Sequence, residues 1–562
     1  AYADELGERR GLACEEHRRG LRSDAAYDLQ VGCLDRHEAG FVRLVELLSS
    51  ADASAVSNAN KAIADLPAPA GCADVDPSLG DPPAPEDPRV AAEVASLRQE
   101  LSRARTEESL GLYPRAEATA LAVLRRAEAL GYAPLEAEAL LGLGSASLQA
   151  QQPAANDWLD RALWLALTTE QRRVATEAAA KRIFAKLELG DRTADTREAI
   201  ELALSLAART GSTDWRIRWA LANNVGIALE RRGERSDALA SYEAALAEVP
   251  AQEGRFERAV TLGNMAPVQV RLGRPSEAEQ SARDAVSELE ALLGEHHPQL
   301  HAVRGALAVV LRESGRYGAA RATLAEIFAE LPEAPPPWMR LEAARIAWRQ
   351  GDLAELRRWC DAARSHTPAD DAAPSVWTLA FTAMEARAAA ASGDPRGLAA
   401  LQALAPRVSP PLRAMATLER AEVLLLLGRP ADAETELASL VGDATEAEAD
   451  RNTARLWHAV ALVHQQRWEA ALPPLATLVA AGDRGGLEPH EHVSALLALA
   501  RAEAGTGRAR DARAHLAAAL RALAGFDPDS TIVLHAHAVA EELERALGSA
   551  SSPAPPSDPS QR

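Results

Sequence analysis

A triplet of small residues recurs along most of this chain at a period close to forty residues. A Gly or Ala stands seven positions before a turn Gly, and another small residue follows five positions after it. The clearest copies are Gly226/Gly233/Ala238, Ala266/Gly273/Ala278, Ala308/Gly315/Ala320, Ala421/Gly428/Ala433 and Ala500/Gly507/Ala512. Small residues on facing helices let two axes approach, and Gly supplies the left-handed backbone of a tight turn. Such a pattern builds stacked helix–turn–helix pairs, each burying its apolar face on its neighbours. Composition agrees: Ala, Leu, Arg and Glu dominate and aromatics are 4%, a mixture that favours helix and gives strands little to pack.

One turn residue per repeat gives Gly111, Gln151, Gly190, Gly233, Gly273, Gly315, Gly351, Gly393, Gly428, Gln466 and Gly507, an array of about eleven repeats within residues 89–547. Gln151 and Gln466 replace the turn Gly, and around Gly190 neither flanking small residue is in place. Leu356 and Leu398 fill the second small position of their repeats and oppose close helix approach there. Pro267 falls in mid-helix, where it predicts a kink. A last helix, Thr531–Leu547, is expected to cover the open end of the stack.

Residues 1–66 read as a separate helical hairpin or small bundle. Apolar residues recur at helical spacing in Tyr27, Val31, Leu34 and again in Phe41, Leu44, Val45, Leu48, and Ser54 opens a short helix to Leu66. Seven prolines within 67–88 exclude a continuous helix and predict an extended linker. The Ser- and Pro-rich tail 548–562 is expected to be disordered.

The formal charge is −20 and no basic stripe stands out, so the average field repels a phosphate backbone and no nucleic-acid partner is expected. No apolar run reaches bilayer-spanning length. The chain opens Ala1-Tyr2-Ala3-Asp4 inside a helical pattern and reads as part of a longer protein. Its cysteines, Cys14, Cys33, Cys72 and Cys360, form no C-x-x-C pair, so structural zinc is not indicated. Cys14 and Cys33 are spaced to face each other across a helical hairpin, either as a disulfide or as two small buried thiols. His297 and His301 share a helix face, but Pro298 sits between them and no further ligand completes a set. The pairs His490/His492 and His535/His537 point different ways on a helix. Gly142 and Gly144 lie inside a repeat and read as packing residues. No catalytic residue, metal set or cofactor site is assigned.

The best repeat runs from Trp219 through Gly226 and Gly233 to Ala238, Tyr242, Ala245 and Pro250. It resembles the tetratricopeptide (TPR) repeat in its small–Gly–small frame, its second-helix aromatic and its closing Pro, and Leu293–Pro298 looks like the inter-repeat turn of the kinesin-light-chain type. The resemblance covers roughly residues 95–525 and implies an all-α fold: a TPR-type helical-repeat superhelix, right-handed, an α-solenoid with a small N-terminal helical segment. A second likeness lies upstream, in Ala13-Cys14-Glu-Glu-His17, Tyr27 to Arg36 with Gly32-Cys33-Leu34-Asp35, Ala51-Asp52 and Gly71-Cys72-Ala73-Asp74. Together these resemble the cysteine-bearing segment before the TPR array of large myxobacterial-type serine/threonine protein kinases. That resemblance implies an extracytoplasmic position, a Cys14–Cys33 disulfide, and a pairing of Cys72 with a cysteine upstream of residue 1.

Kinase chemistry requires a Gly-rich phosphate loop, a His-Arg-Asp catalytic loop and an Asp-Phe-Gly metal site. The sequence contains none of them, so by this resemblance the chain is a non-catalytic part of such a kinase. What is left for function is the groove lined by each repeat's first helix, where the TPR resemblance places residues six and ten before the turn Gly. Among these and the outer positions of the same face, Asn223, Arg312, Trp338, Arg345, Trp348 and Arg387 form the candidate partner-binding set. Trp and Arg dominate binding hot spots, and Arg grips carboxylates bidentately. The partner expected is a protein or peptide segment with acidic and apolar residues, bound by a sensor or scaffold region. The alternatives are a stand-alone TPR adaptor and the regulatory arm of a transcriptional activator.

Overall fold

The computed structural model describes residues 2–50, 55–56, 58–74, 85–189, 196–210, 215–250, 254–295, 297–331, 335–364, 374–409, 412–442 and 448–549. Among these there are helices and turns but no strand. Helices α1 (Tyr2–Arg18) and α2 (Asp24–Ser49) form a hairpin, followed by α3 (Ala59–Ala64) and a 3-10 turn, Pro69–Asp74. The array then runs α4 (Pro88–Ser109), α5 (Tyr113–Leu130), α6 (Ala133–Gln149), α7 (Ala154–Thr168), α8 (Arg172–Leu189) and α9 (Arg197–Thr210). It continues through α10 (Trp215–Arg231), α11 (Arg235–Glu248), α12 (Arg255–Arg271), α13 (Pro275–Leu293), α14 (Pro298–Glu313), α15 (Tyr317–Glu330), α16 (Pro337–Arg349) and α17 (Leu353–Arg364). The last helices are α18 (Val376–Ala391), α19 (Arg396–Leu404), α20 (Arg413–Leu426), α21 (Pro430–Val441), α22 (Glu448–His464), α23 (Trp468–Gly482), α24 (Pro489–Gly505), α25 (Ala509–Ala522) and α26 (Thr531–Ser549). This is the all-α helical-repeat fold expected from the triplet.

The repeat turns explain the period. The described turn glycines, from Gly111 to Gly507, all have positive φ, and Gln151 and Gln466 take the same conformation at 57° and 58°. The residue after the turn donates its N–H back to a carbonyl five residues earlier: Arg274 to Gln269 and Arg429 to Leu424, both at 2.9 Å. This 6→1 bond satisfies carbonyls that a helix end leaves open, and it requires the left-handed residue in between. Gly190 lies outside the described residues. Close approach follows at the small positions. A Cβ on Gly226 would stand 2.6 Å from the Tyr242 ring, and one on Gly144 would stand 2.7 Å from Leu159. At Leu398 the contact moves by one residue, because a Cβ on neighbouring Gly397 would meet the Ala386 Cα at 2.5 Å. Leu356 is fully buried in the core around α16–α18, so that repeat closes over a larger side chain. Helix α12 runs unbroken across Pro267.

The chain divides into two compact units. The first comprises Ala1–Leu229, Asp237–Leu262 and Ala285–Leu300. Its core is built from residues such as Leu101, Leu140, Leu159, Ile183 and Leu221. The N-terminal hairpin packs on α4, where the Thr106 hydroxyl donates to the Gly40 carbonyl at 3.2 Å and Arg43 pairs with Glu107. Of the proline-rich stretch 67–88, Pro69–Asp74 is a turn with Cys72 fully buried, and 75–84 lie outside the described residues. Cys72 bonds to Cys33, with Cα atoms 5.7 Å apart, while Cys14 is free and exposed. The Cys14–Cys33 pairing is therefore corrected. The turn after α3 carries Cys72 onto α2, where it takes up the Cys33 sulfur, whereas Cys14 is exposed on α1.

The second unit comprises Glu230–Ser236, Gly263–Asp284 and His301–Arg562. Helix α26 buries Ile532, Val533, Val539 and Leu543 in a core shared with α24 and α25. The loop before it also reaches back to earlier repeats. The Asp527 N–H donates to the Gly315 carbonyl at 2.8 Å, its carboxylate accepts from the Gly318 N–H at 2.7 Å, and Phe526 covers Gly315. The tail beyond 549 lies outside the described residues.

Two substitutions test this account by denaturant unfolding. Gly226→Val should destabilise the chain by about 2–3 kcal/mol, because the Tyr242 ring has no room to move. Gln466→Gly should stabilise it by about 0.5–1 kcal/mol, since left-handed strain at a Cβ-bearing residue exceeds the entropy that Gly adds to the unfolded chain.

Candidate interaction surface

Five of the six candidate groove residues fall in the second unit: Arg312 on α14, Trp338, Arg345 and Trp348 on α16, and Arg387 on α18. Asn223, on α10, belongs to the first. It is buried, and its side-chain oxygen lies 3.5 Å from the Thr261 hydroxyl, which in turn accepts from the Trp219 indole at 2.8 Å. Both candidate tryptophans are half-buried. Trp338 fills the notch left by Gly305, where a Cβ would come within 2.3 Å of its ring. Trp348 packs on the core cluster of Leu341, Leu356 and Phe381.

The arginines belong to a chain of ion pairs that links successive repeats. Arg271 joins Glu230 at 3.0 Å to Glu313 at 2.9 Å. Arg312 contacts Glu313 at 3.2 Å and Glu342 at 2.6 Å, and Glu342 also binds Arg345 at 2.6 Å. On the next repeats Arg387 holds Glu419 and Glu422, both at 2.6 Å. Burial opposes the charge on Glu342, but Arg312 and Arg345 outweigh it and hold its carboxyl below the ordinary range. Burial likewise opposes the charge on Arg312, and Glu342 and Glu313 more than restore it. At Glu419, burial and the neighbouring Glu422 prevail over Arg387, so its pKa is raised.

Arg349 differs. Among the described residues no carboxylate lies within ion-pair distance of it, and its pKa is lowered by burial, with Tyr317 and Glu422 offsetting this only in part. Arg312 and Arg387 add like charge nearby. Arg345 leaves 42% of its side chain exposed. The same row thus contains one accessible arginine and one without a counter-ion.

The loop before α24 meets this row. Arg235 donates to the Gly485 carbonyl, and Gly485 sits on the turn at Leu272, where a Cβ would be 2.7 Å from the Leu272 side chain. Glu488 and Glu491 then cap α24, with the Glu488 N–H donating to Glu491 at 3.0 Å and Thr453 donating to Glu491 at 2.8 Å. Burial raises the Glu488 pKa, but His490, Arg271, Arg312 and Arg345 outweigh it and hold the group ionised. Burial and the charge on Glu488 push Glu491 up to about 7. Burial, with Arg349 beside it, lowers His490 well below its ordinary value despite Glu488.

Arg271, Arg349, Glu342, Glu488 and Glu491 lie outside the candidate set that the sequence pattern marks. One signal was available, because Arg231, Arg271, Glu313 and Arg349 each stand two positions before a turn Gly. The contribution of the 483–491 loop had no such marker. The histidines considered for metal have other roles: His297 accepts from the Gln299 N–H at 3.1 Å, and His301 pairs with Glu330 at 3.1 Å. A separate apolar cavity of about 430 Å³ opens between α15, α16 and α17, walled by Phe328, Ile346 and Trp359.

Residues 383–442, which include Arg387, Glu419 and Glu422, match the profile of a family described as tetratricopeptide repeat. Repeats of this type build protein-interaction scaffolds. Among solved structures, a tetratricopeptide repeat protein from Parabacteroides merdae ATCC 43184 shares 16% identity over 54% of this chain and 98% of its own, at a TM-score of 0.34. The Cut9–Hcn1 hetero-tetramer of the APC/C shares 13% identity over 82% of this chain and 91% of that one, at a TM-score of 0.36. No curated protein matches the sequence.

The Glu491 carboxyl gives a pH test. Its folded pKa is raised, so its protonated form favours folding below its unfolded pKa, and that contribution is lost as pH rises through about 7. The stability of the parent relative to Glu491→Gln should therefore fall between about pH 4.5 and pH 7 by an amount on the order of 3 kcal/mol, measured by denaturant unfolding across that range.

Proposed function

We propose that this chain is a non-catalytic protein-interaction scaffold whose second unit binds an acidic, apolar-flanked segment of a partner protein. The observation that carries the reading is Arg349, a partly buried cation with no carboxylate partner among the described residues, in the same row as half-exposed Arg345. A buried cation without a counter-ion is unfavourable, and a carboxylate arriving on a partner relieves that cost through charge-assisted hydrogen bonds. Trp338 and Trp348 stiffen the helix that presents both arginines, and Arg387 continues the row on α18. Asn223, in the first unit, is proposed as part of that unit's own inner surface.

At a finer level, we assign the scaffold to the sensory region of a bacterial serine/threonine kinase on an extracytoplasmic face. This assignment rests on the likeness of the segment around Cys14, Cys33 and Cys72 to that of such kinases. A stand-alone adaptor or the regulatory arm of a transcriptional activator is the alternative, and the coding sequence upstream of Ala1 separates them.

Peptide display on the full chain tests the binding reading. Selected peptides should be enriched in Asp and Glu beside Leu or Phe, and their affinity should fall with salt. Arg345→Gln/Arg349→Gln should weaken them by about tenfold or more, a loss of roughly 1.4 kcal/mol, with helicity unchanged. Acid-independent selection, or equal binding by the double variant, would remove the reading.

A further inference from the structure

Cys33 and His37 lie four residues apart on α2, on one helix face, and the turn Pro69–Asp74 brings Cys72 onto the same spot. The three donor groups lie within 4.8 Å of one another. His37 Nε2 is nearly equidistant from the two sulfurs, at 3.8 Å from Cys33 Sγ and 3.9 Å from Cys72 Sγ, and Nδ1 is 3.6 Å from Cys72 Sγ. Among the described residues these sulfurs are the ring's only polar contacts. A disulfide sulfur is a poor hydrogen-bond partner, so the oxidised structure leaves a half-buried imidazole without a strong one.

We propose that Cys33, His37 and Cys72 form a redox-gated site for a thiophilic divalent cation, zinc by ligand class, which the disulfide closes and reduction opens. In a tetrahedral zinc site, with zinc–sulfur near 2.3 Å and zinc–nitrogen near 2.0–2.1 Å, neighbouring donors stand about 3.4–3.8 Å apart. The imidazole already keeps nearly that spacing from both sulfurs, so only the sulfurs must part. A dithiol supplies the two electrons: it breaks the Cys33–Cys72 bond through a mixed disulfide, closes into its own disulfide, and leaves two thiols. Zinc then binds as two thiolates and the neutral imidazole, releasing one proton from each thiol, and a fourth position stays open to water.

The surroundings favour the exchange. Cys72 is fully buried beside Leu6 and Leu34, where two thiolates without a cation would be costly, whereas two thiolates on a dication are neutral. Either cross-link ties the same turn to α2, so the hairpin keeps its anchor in both states. Sequence spacing concealed the site, because its ligands are one i, i+4 pair and a residue 39 positions beyond Cys33.

The test uses the full chain carrying Cys14→Ser, which removes the exposed thiol, with cobalt(II) as the probe. After anaerobic reduction and removal of the dithiol, one equivalent of cobalt should bind with thiolate-to-metal charge-transfer absorption and intense tetrahedral visible bands. Zinc should displace it, and the oxidised chain should show neither signal. His37→Ala retains the disulfide, so its oxidised form reports folding by circular dichroism, while its reduced form should bind cobalt about tenfold or more weaker. The proposal is overturned by a reduced chain without charge-transfer absorption, by equal binding in His37→Ala, or by helicity that reduction abolishes and metal does not restore.

Discussion

The left-handed turn residue between paired helices is the constraint from which the rest of this structure follows. It lets the chain reverse within about two residues while its N–H groups still reach carbonyls that the helix end would leave unsatisfied. Two helices that reverse so sharply must lie close together, and close packing is possible only where one side lacks bulk. Gly226 against Tyr242, Gly144 against Leu159 and Gly397 against Ala386 are such places. The conformation matters more than the residue, since Gln151, Glu170 and Gln466 adopt it with side chains attached. Strain of about 1–2 kcal/mol per such residue is tolerated because each turn is fixed by the packing of both its helices.

Stacked pairs of this kind leave one face of each first helix looking toward its counterparts in neighbouring repeats. In the second unit that face is ionic. Arg271, Glu313, Arg312, Glu342 and Arg345 form one continuous run, and Arg387 with Glu419 and Glu422 form another. Partly buried ion pairs contribute little net stability, because desolvation offsets most of the attraction. Their effect here is directional. Arg271, Arg312 and Arg387 are each held in one orientation by two carboxylates, and Arg345 by one, which makes the row a pre-ordered surface instead of a set of mobile side chains. Arg349 interrupts the pairing, and Glu488 arrives from a distant loop to supply negative charge beside Arg271, Arg312 and Arg345.

Much of the architecture was legible in the residues. Apart from Gly190, outside the described residues, the turn positions and helix pairs appear where the small-residue frame puts them, Gln151 and Gln466 stand in for Gly as the period requires, and a final helix follows the last pair. Other features were not legible, for definite reasons. Leu398 suggested loose packing, but the close approach shifts to Gly397, which a fixed five-residue offset does not register. Cys14 and Cys33 suit a hairpin crosslink by spacing, yet the turn that carries Cys72 onto α2 decides the bond and leaves Cys14 exposed. The tryptophans chosen as binding residues have packing roles at Gly305 and around Leu356, which residue type alone does not reveal.

The sequence by itself determined the repeat, its turns and its helical content, because each depends on residues within one helix pair, where spacing translates directly into contact. It also placed arginines and glutamates on several first helices, among them Arg271, Glu313, Glu342 and Arg387. Only the tertiary structure decided which of those charges meet. Arg387 finds Glu419 a repeat away, Arg235 finds the Gly485 carbonyl 250 residues away, and Asp527 returns to Gly315 and Gly318. Such encounters depend on small rotations accumulated over many repeats, and no local pattern encodes that sum.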